Sequence, residues 1–367
     1  MKHILVSPLS WGLGHAMRDL PIIRYLLERG HHVTVAAEGR ALSLLKRNVP
    51  ECDFVELKDY PPPYSSGRHF VPKFLAMAPV MLAAIEKETV NVRRLFRQRT
   101  FDMILSDNRF RVRSRHIPSF VISHQLRFMP PPSLHSFEFI PEFFNYVYLR
   151  PFDRIIVPDV ADPEVNLSGR LSHHMRLLKS SKKVYYAGVI SSVARRDVPQ
   201  DVDLFISISG PEPQRTQLER LMLEQVKSVQ ADRIVITLGK PESHDVQQLN
   251  DRITVYGFLD RNGQEEMMNR AKVVVCRSGY TTVMELAELG KKALFIPTPG
   301  QTEQEYLGTF YRERGYFHSV SQYELNLVRD VERARQATGV PFTSNTRANI
   351  ERLYNEVFAP ALGESTR

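Results

Sequence analysis

The sequence predicts an α/β protein built as two doubly wound parallel-sheet domains facing across a cleft. Short β-branched runs alternate with helical patterns through both halves of the chain, the signature of parallel strands covered on both faces. Each half also carries a strand that runs into a glycine-bearing turn and a new helix: Leu9-Ser10-Trp11-Gly12-Leu13-Gly14-His15-Ala16-Met17-Arg18 in the first, and Val273-Val274-Val275-Cys276 into Arg277-Ser278-Gly279-Tyr280-Thr281-Thr282-Val283-Met284-Glu285 in the second. Finally, 367 residues are long for one core when a domain usually takes about 100–200.

In order, the first-half strands are Ile4-Leu5-Val6, Val33-Thr34-Val35, Phe54-Val55, Met103-Ile104-Leu105, Phe120-Val121-Ile122 and Arg154-Ile155-Ile156-Val157. Between Tyr60 and Arg97 the pattern loosens: Pro61-Pro62-Pro63-Tyr64 reads as a loop, and Phe70 to Ala84 as an amphipathic helix. That helix is either a core helix under a loop or a surface for a partner or membrane. Arg109, Arg111, Arg113 and Arg115 alternate with other residues and read as a solvated charged segment, with a strip that gathers an anionic partner as the alternative. Gly188 to Val202, with Pro199 and Arg195-Arg196, breaks the periodicity and reads as the linker.

The second half repeats the alternation with Leu204-Phe205-Ile206-Ser207-Ile208, Ile234-Val235-Ile236, Ile253-Thr254-Val255, Val273-Val274-Val275 and Ala293-Leu294-Phe295-Ile296. A final helix from Asn345 to Phe358 is expected to return to the first domain, ahead of a frayed tail. The expected domains are 1–190 and 191–343, with a returning helix at 344–360 and the tail at 361–367.

Composition narrows the class. Hydrophobic residues at 43% and charged residues at 25% can fill a core and cover a surface, which excludes global disorder. The net charge of +8 asks for a partner. The basic residues are spread along the chain without a zinc-finger, RNP or basic-zipper pattern, so an anionic membrane or phosphorylated substrate fits better than nucleic acid. Two cysteines, Cys52 and Cys276, argue against a disulfide framework and for a reduced compartment, both reading as buried small hydrophobes. The first apolar segment is a short strand, not a signal peptide, and no apolar run has spanning length. The expected location is the cytoplasm or the inner face of the cytoplasmic membrane.

The glycine turns carry the chemistry. Glycine lets a ligand approach the backbone, and the free N–H groups at a helix N-terminus favour negative charge, typically phosphate. One such turn is ordinary strand-to-helix chemistry; two in one chain point to a nucleotide-type ligand.

Trp11-Gly12-Leu13-Gly14-His15 with Arg18, and Cys276 to Glu285 followed by Gly290, Pro297 and Gln304, resemble the GT-B glycosyltransferases of the MurG type, family 28. The resemblance covers nearly the whole chain, and its C-terminal motif is the more specific. The N-terminal turn is also similar to that of PseG-type UDP-sugar hydrolases. The resemblance implies a GT-B fold, two Rossmann-like domains with the acceptor on the first and a UDP-linked sugar on the second. It assigns the donor site to Gly12, Gly14, Arg277, Ser278, Gly279, Thr281, Glu285, Gln304 and Glu305. Glu285 would accept from the ribose hydroxyls, while the Ser278 hydroxyl and Gly279 amide would meet the diphosphate.

Gln304 matches the polar position that contacts the sugar. Glu305 stands where MurG proteins have a second Gln, and Gly308-Thr309 where they have Asn-Ala, which leaves the transferred sugar open. Phe258-Leu259, after Val255-Tyr256-Gly257, resembles the segment whose backbone reads the base edge; a core strand end is the alternative. Ser209, Gly210 and Arg215, in Ser209 to Thr216, replace the family's glycine-rich turn and are candidates to bracket phosphate charge, against a plain surface turn.

Glycosyl transfer to a hydroxyl needs a base for the nucleophile and stabilisation of the departing diphosphate. His15 is the candidate base, since imidazole is the side chain whose ordinary titration falls near neutrality. Asp107, at the end of the Met103-Ile104-Leu105-Ser106 strand, is the candidate to orient it, with a turn cap as the other reading. His15 is alternatively a hydrogen-bonding contact to diphosphate or sugar. His124, His173 and His174 read as structural or as lining the cleft edge.

No cofactor or metal is expected, the UDP-sugar being substrate. The one Asp-x-Asp, Asp201-Val202-Asp203, precedes a strand where a cap or turn belongs, and no His/Cys cluster has zinc spacing. No nucleophile elbow or Walker lysine is present. The expected activity is inverting transfer of a sugar, with N-acetylglucosamine as a candidate, to a lipid-linked or cell-envelope acceptor. A UDP-sugar hydrolase and a non-catalytic sugar-nucleotide-binding protein are the alternatives.

Overall fold

The computed structural model describes the chain apart from Gly12 and residues 61–69, 130–138, 179–181 and 365–367. It divides into two compact units, Met1–Ser192 with Asn345–Arg367, and Val193–Ser344.

The first unit runs β1 (His3–Pro8), α1 (Leu13–Glu28), β2 (His32–Ala37), α2 (Gly39–Asn48), β3 (Asp53–Glu56), α3 (Phe70–Gln98), β4 (Met103–Asp107), β5 (Ser119–Ile122), α4 (Phe139–Leu149), β6 (Arg154–Val157) and β7 (Val184–Tyr186). All neighbouring strands are parallel, in the order β3-β2-β1-β4-β5-β6-β7. Ile4, Leu5, Val6, Ile104 and Leu105 are fully buried because helices cover both faces of such a sheet, which is why these strands read as unbroken apolar runs. The strand order reverses between β1 and β4, where open α/β sheets bind ligands beyond their carboxyl ends. There the register pairs Pro8 with Asp107, and the Leu9 amide donates to the Asp107 carbonyl at 3.0 Å.

Three expectations need correction here. The helix expected over Phe70–Ala84 continues to Gln98, since Ile85, Val92 and Leu95 carry its buried side onward. Arg109 is neither solvated nor aimed at a partner. It is fully buried, with Nε 2.7 Å from Glu88 Oε1 and its other nitrogens donating to the Leu57 and Lys58 carbonyls. Strand β7 escaped the reading because its residues are only half-buried.

The second unit runs β8 (Val202–Ser207), α5 (Gln214–Gln225), β9 (Ile234–Thr237), β10 (Val246–Asn250), β11 (Ile253–Tyr256), α6 (Arg261–Arg270), β12 (Ala271–Cys276), α7 (Tyr280–Leu289), β13 (Lys292–Phe295), α8 (Thr302–Glu313), β14 (His318–Ser319) and α9 (Leu327–Gln336). Its strand order is β10-β11-β9-β8-β12-β13-β14. All pairs are parallel except β10 with β11, which are antiparallel. The expected all-parallel sheet therefore ends in an edge hairpin, whose β10 residues are mostly exposed and lack the apolar signal. Here the order reverses between β8 and β12. Gly290 closes α7 at φ +63, a left-handed conformation that favours glycine, with the end of the Arg195 side chain against the position a Cβ would take.

From Asn345 the chain belongs to the first unit again: α10 (Thr346–Leu353), a π-turn over Tyr354–Phe358 and α11 (Ala359–Leu362). Ile350, Leu353, Tyr354, Val357 and Phe358 join the core that holds α1 and β1.

Candidate active site

Helix α1 already begins at Leu13, so Gly14 and His15 occupy its first turn and do not form a turn ahead of it. That correction leaves the expected amide-rich N-terminus at the carboxyl end of β1. Gly12 lies outside the described residues. The approach to the helix is pinned by Trp11, whose Nε1 donates to the Tyr60 carbonyl at 2.7 Å.

His15 and Asp107 meet. His15 Nδ1 is 2.9 Å from Asp107 Oδ1, and Arg18 Nη2 lies 3.0 Å from the same nitrogen. Arg18 can only donate, so the two contacts ask opposite things of Nδ1. The buried carboxylate is the stronger partner: Nδ1–H donates to Asp107, and Nε2 keeps its lone pair. Asp107 is fully buried and also receives the Arg18 fork, from Nε to Oδ2 at 3.0 Å and from Nη2 to Oδ1. Burial pushes the Asp107 carboxyl up, but the Arg18 charge and the hydrogen bonds from His15 and Arg18 outweigh it and hold the group well below the usual carboxylate range. Arg18 Nη1 is 3.1 Å from His124 Nδ1, so His124 braces the arginine. His173 contacts Asp159 Oδ2 at 3.3 Å and stacks on Tyr186, while His174 is exposed.

In the second unit the switch point gathers Ser209 and Gly210 after β8 with Arg277, Ser278 and Gly279 after β12. Arg277 is 3% exposed, and its guanidinium donates to four carbonyls: Ser209 at 3.3 Å, Ile296 at 3.0 Å, Pro297 at 3.1 Å and Gln214 at 3.1 Å. Burial lowers it to about 10, and no carboxylate among the described residues offsets its charge. Beside it the Thr298 hydroxyl is buried without a hydrogen-bond partner among the described residues. Gly210, at φ +121, leaves its Cβ position 3.7 Å from both Arg277 Nε and Thr298 Oγ1. A buried cation and an orphaned hydroxyl beside an absent side chain suit an anion.

Other candidates have their polar groups committed. The Ser278 hydroxyl donates to the Gln304 carbonyl at 2.8 Å, so its proton ties α7 to α8 and is not aimed at a ligand, contrary to expectation. Gln304 Oε1 receives the Thr298 amide at 2.8 Å, leaving its NH₂ group, with Nε2 3.9 Å from the Cβ position of Gly279, as the free donor. Glu305 Oε1 receives the Gly300 amide at 2.9 Å and so holds the turn before α8. Arg215 does not present a free charge: it pairs with Glu212 and Glu219 and donates to the Leu238 carbonyl. The Leu259 amide donates to Thr237 Oγ1 at 3.1 Å and its carbonyl accepts from Gln264, so of the expected base-reading pair only Phe258, partly exposed, offers its backbone. Thr281 is half-buried in the first turn of α7.

Glu285, also on α7, is oriented by a residue the sequence did not reveal. Arg261 Nη1, at the start of α6, lies 2.7 Å from Glu285 Oε1. Nothing at a spacing of 24 residues announces that pair. Asp201 and Asp203 are likewise engaged, the first by Arg233 and Arg270, the second by Lys272.

Two switch-point units of this topology define the GT-B class. Residues 214–355 match the family model described as glycosyltransferase family 28 C-terminal domain. The chain thus has the GT-B fold, and its C-terminal part matches the family 28 glycosyltransferase C-terminal domain. Among curated relatives, the UDP-N-acetylglucosamine--N-acetylmuramyl-(pentapeptide) pyrophosphoryl-undecaprenol N-acetylglucosamine transferase of Haemophilus ducreyi is 39% identical over 67 residues, 18% of either chain. The match thus spans under a fifth of that relative's length. An uncharacterized glycosyltransferase of Methanosarcina acetivorans is 23% identical over 336 residues, 85% of this chain and 82% of its own. The crystal structure of Acinetobacter baumannii MurG superposes with a TM-score of 0.58 at 17% identity, covering 96% of this chain and 98% of that one, a likeness of fold.

Proposed function

We propose that the protein transfers a sugar from a UDP-sugar to a hydroxyl of a lipid-linked or cell-envelope acceptor, by inversion and without a metal. The observation that carries the reading is the contact of His15 Nδ1 with buried Asp107 at 2.9 Å: with Nδ1–H given to that carboxylate, Nε2 is the nitrogen that takes a hydroxyl proton. As the acceptor oxygen bonds to the anomeric carbon, that carbon's bond to the diphosphate breaks, the proton passes to Nε2 and the electron pair leaves with the diphosphate. Asp107 stabilises the imidazolium so formed.

The leaving group's charge falls to Arg277, the Thr298 hydroxyl and the α7 N-terminus. Glu285, held by Arg261, accepts from the ribose hydroxyls, and the Gln304 NH₂ group donates to the sugar. N-acetylglucosamine is the first sugar to try, because the Haemophilus relative is named as an N-acetylglucosamine transferase. Phe139, Phe143 and Val147 are exposed along one side of α4, with Leu177 exposed as well, and this apolar strip favours an acceptor with a lipid portion over water as the nucleophile. It would also let the protein work at a membrane surface; among the described residues no helix is long and apolar enough to cross one.

Calorimetric titration of UDP beside GDP, dTDP and ADP tests the donor half. Selective UDP binding that Glu285→Ala weakens supports it, and absence of nucleotide binding overturns it. Product analysis with UDP-N-acetylglucosamine and membrane lipids then separates transfer from hydrolysis.

A further inference from the structure

Asp19 is a buried acid with no task in the scheme above. It lies on α1 one turn beyond His15, at the i, i+4 spacing that puts both side chains on one face. It is 0% exposed, and both its oxygens are buried with no hydrogen-bond donor among the described residues. Yet it lies against the carboxyl group of Asp107 within hydrogen-bonding reach. Two carboxylates in contact have only acceptors to offer each other, so the contact is a hydrogen bond only if one of them holds a proton.

The surroundings decide which one does. Asp107 receives three N–H donors, His15 Nδ1 and Arg18 Nε and Nη2, on about four lone-pair sites. Asp19 receives none. The groups that face the pair are His15 and Arg18 from α1 itself, Asp107 from β4 and His124 after β5, and the one permanent cation among them already grips Asp107.

We propose that Asp19 is a positioning residue which keeps a proton and donates it to the fourth site on Asp107, fixing the carboxylate that orients His15. Burial and the charge of Asp107 both push the Asp19 carboxyl well above the usual carboxylate range, in keeping with this. The proton's location rests on the burial and unpartnered oxygens of Asp19 beside a carboxylate already gripped by three donors; the consequence for turnover rests on the glycosyl-transfer reading.

The experiment compares full-length wild type with Asp19→Asn and Asp19→Leu. A group whose folded pKa is raised stabilises fully below its unfolded pKa, and the contribution is lost as pH rises toward the folded value. Asparagine cannot lose that proton. The Tm of Asp19→Asn relative to wild type should therefore rise with pH, by about 3 °C per unit between about pH 5 and 7. A constant difference overturns the proposal, whatever the protein catalyses.

The second readout is kinetic. Asp19→Leu should lose at least about tenfold in kcat with little change in donor KM, and Asp19→Asn, which still has an N–H to donate, should recover most of it. Equal losses in the two variants overturn the positioning role. If no donor turns over, the glycosyl-transfer reading fails while the pH-dependent stability still decides where the proton sits.

Discussion

Arg261 Nη1 sits 2.7 Å from Glu285 Oε1, so a guanidinium at the start of α6 fixes the carboxylate held on α7. Hydrogen bonds to a charged group contribute about 1.5–3 kcal/mol. Glu285→Ala should weaken UDP binding roughly 10- to 100-fold. Arg261→Ala, which frees the carboxylate without removing it, should cost only about 3- to 10-fold. Calorimetry on the two variants checks the order, and a larger loss in Arg261→Ala would show that Glu285 is not the ribose contact.

Removing the base should be far costlier than removing its orienter's charge. His15→Ala should lower kcat by about 10²–10⁴-fold with donor affinity nearly unchanged. Asp107→Asn keeps the shape but offers an N–H toward Nδ1, favouring the wrong tautomer, and should also lower kcat. Retained kcat in His15→Ala, with a loss confined to donor affinity, would make His15 a binding contact instead.

Asp107 also sets a pH dependence of stability. Its folded value lies below its unfolded one, so its contribution is present above about pH 4 and lost as pH falls toward the folded value. Wild type should exceed Asp107→Asn by about 2–3 kcal/mol at neutral pH, with the gap closing in acid. Urea unfolding at about pH 7 and pH 3 should show the gap narrowing between them.

Arg277 is the buried cation that no carboxylate among the described residues offsets. A diphosphate bound beside it should raise the Tm of wild type, and Arg277→Met should abolish most of that rise while UDP is present at saturating concentration for wild type. Differential scanning with and without UDP shows the result, and an unchanged rise would move the diphosphate elsewhere.

The net charge of +8 and the exposed Phe139, Phe143 and Val147 make a joint prediction at membranes. Sedimentation with phosphatidylglycerol vesicles should show binding that weakens between about 0.05 and 0.5 M salt. Phe143→Asp should weaken it further at any salt. Absence of binding at low salt would remove the membrane surface as a partner.

The strands that could be read from sequence were those whose both faces are buried, Ile4 to Val6 or Val273 to Val275, because continuous burial writes a continuous apolar run. Strand β10 carries Val246-Gln247-Gln248-Leu249-Asn250 on an exposed edge, where pairing with β11 and not burial makes the strand. Residues at strand ends were legible for a similar reason: His15 and Asp107 follow two neighbouring strands, and backbone register alone brings them to one edge. Arg215 was not, because a positive charge in sequence does not reveal that Glu212 and Glu219 have already taken it.

By itself, then, the sequence determined the alternation that makes two parallel sheets and the two turns at which each strand order reverses, since periodic burial and glycine are local properties. Only the tertiary structure decided which polar groups are spoken for. It tied the Ser278 hydroxyl to Gln304, set Arg277 among carbonyls, and brought Asp19 against Asp107. Hydrogen-bond partners and desolvation depend on what packs from distant elements, and no local pattern encodes them.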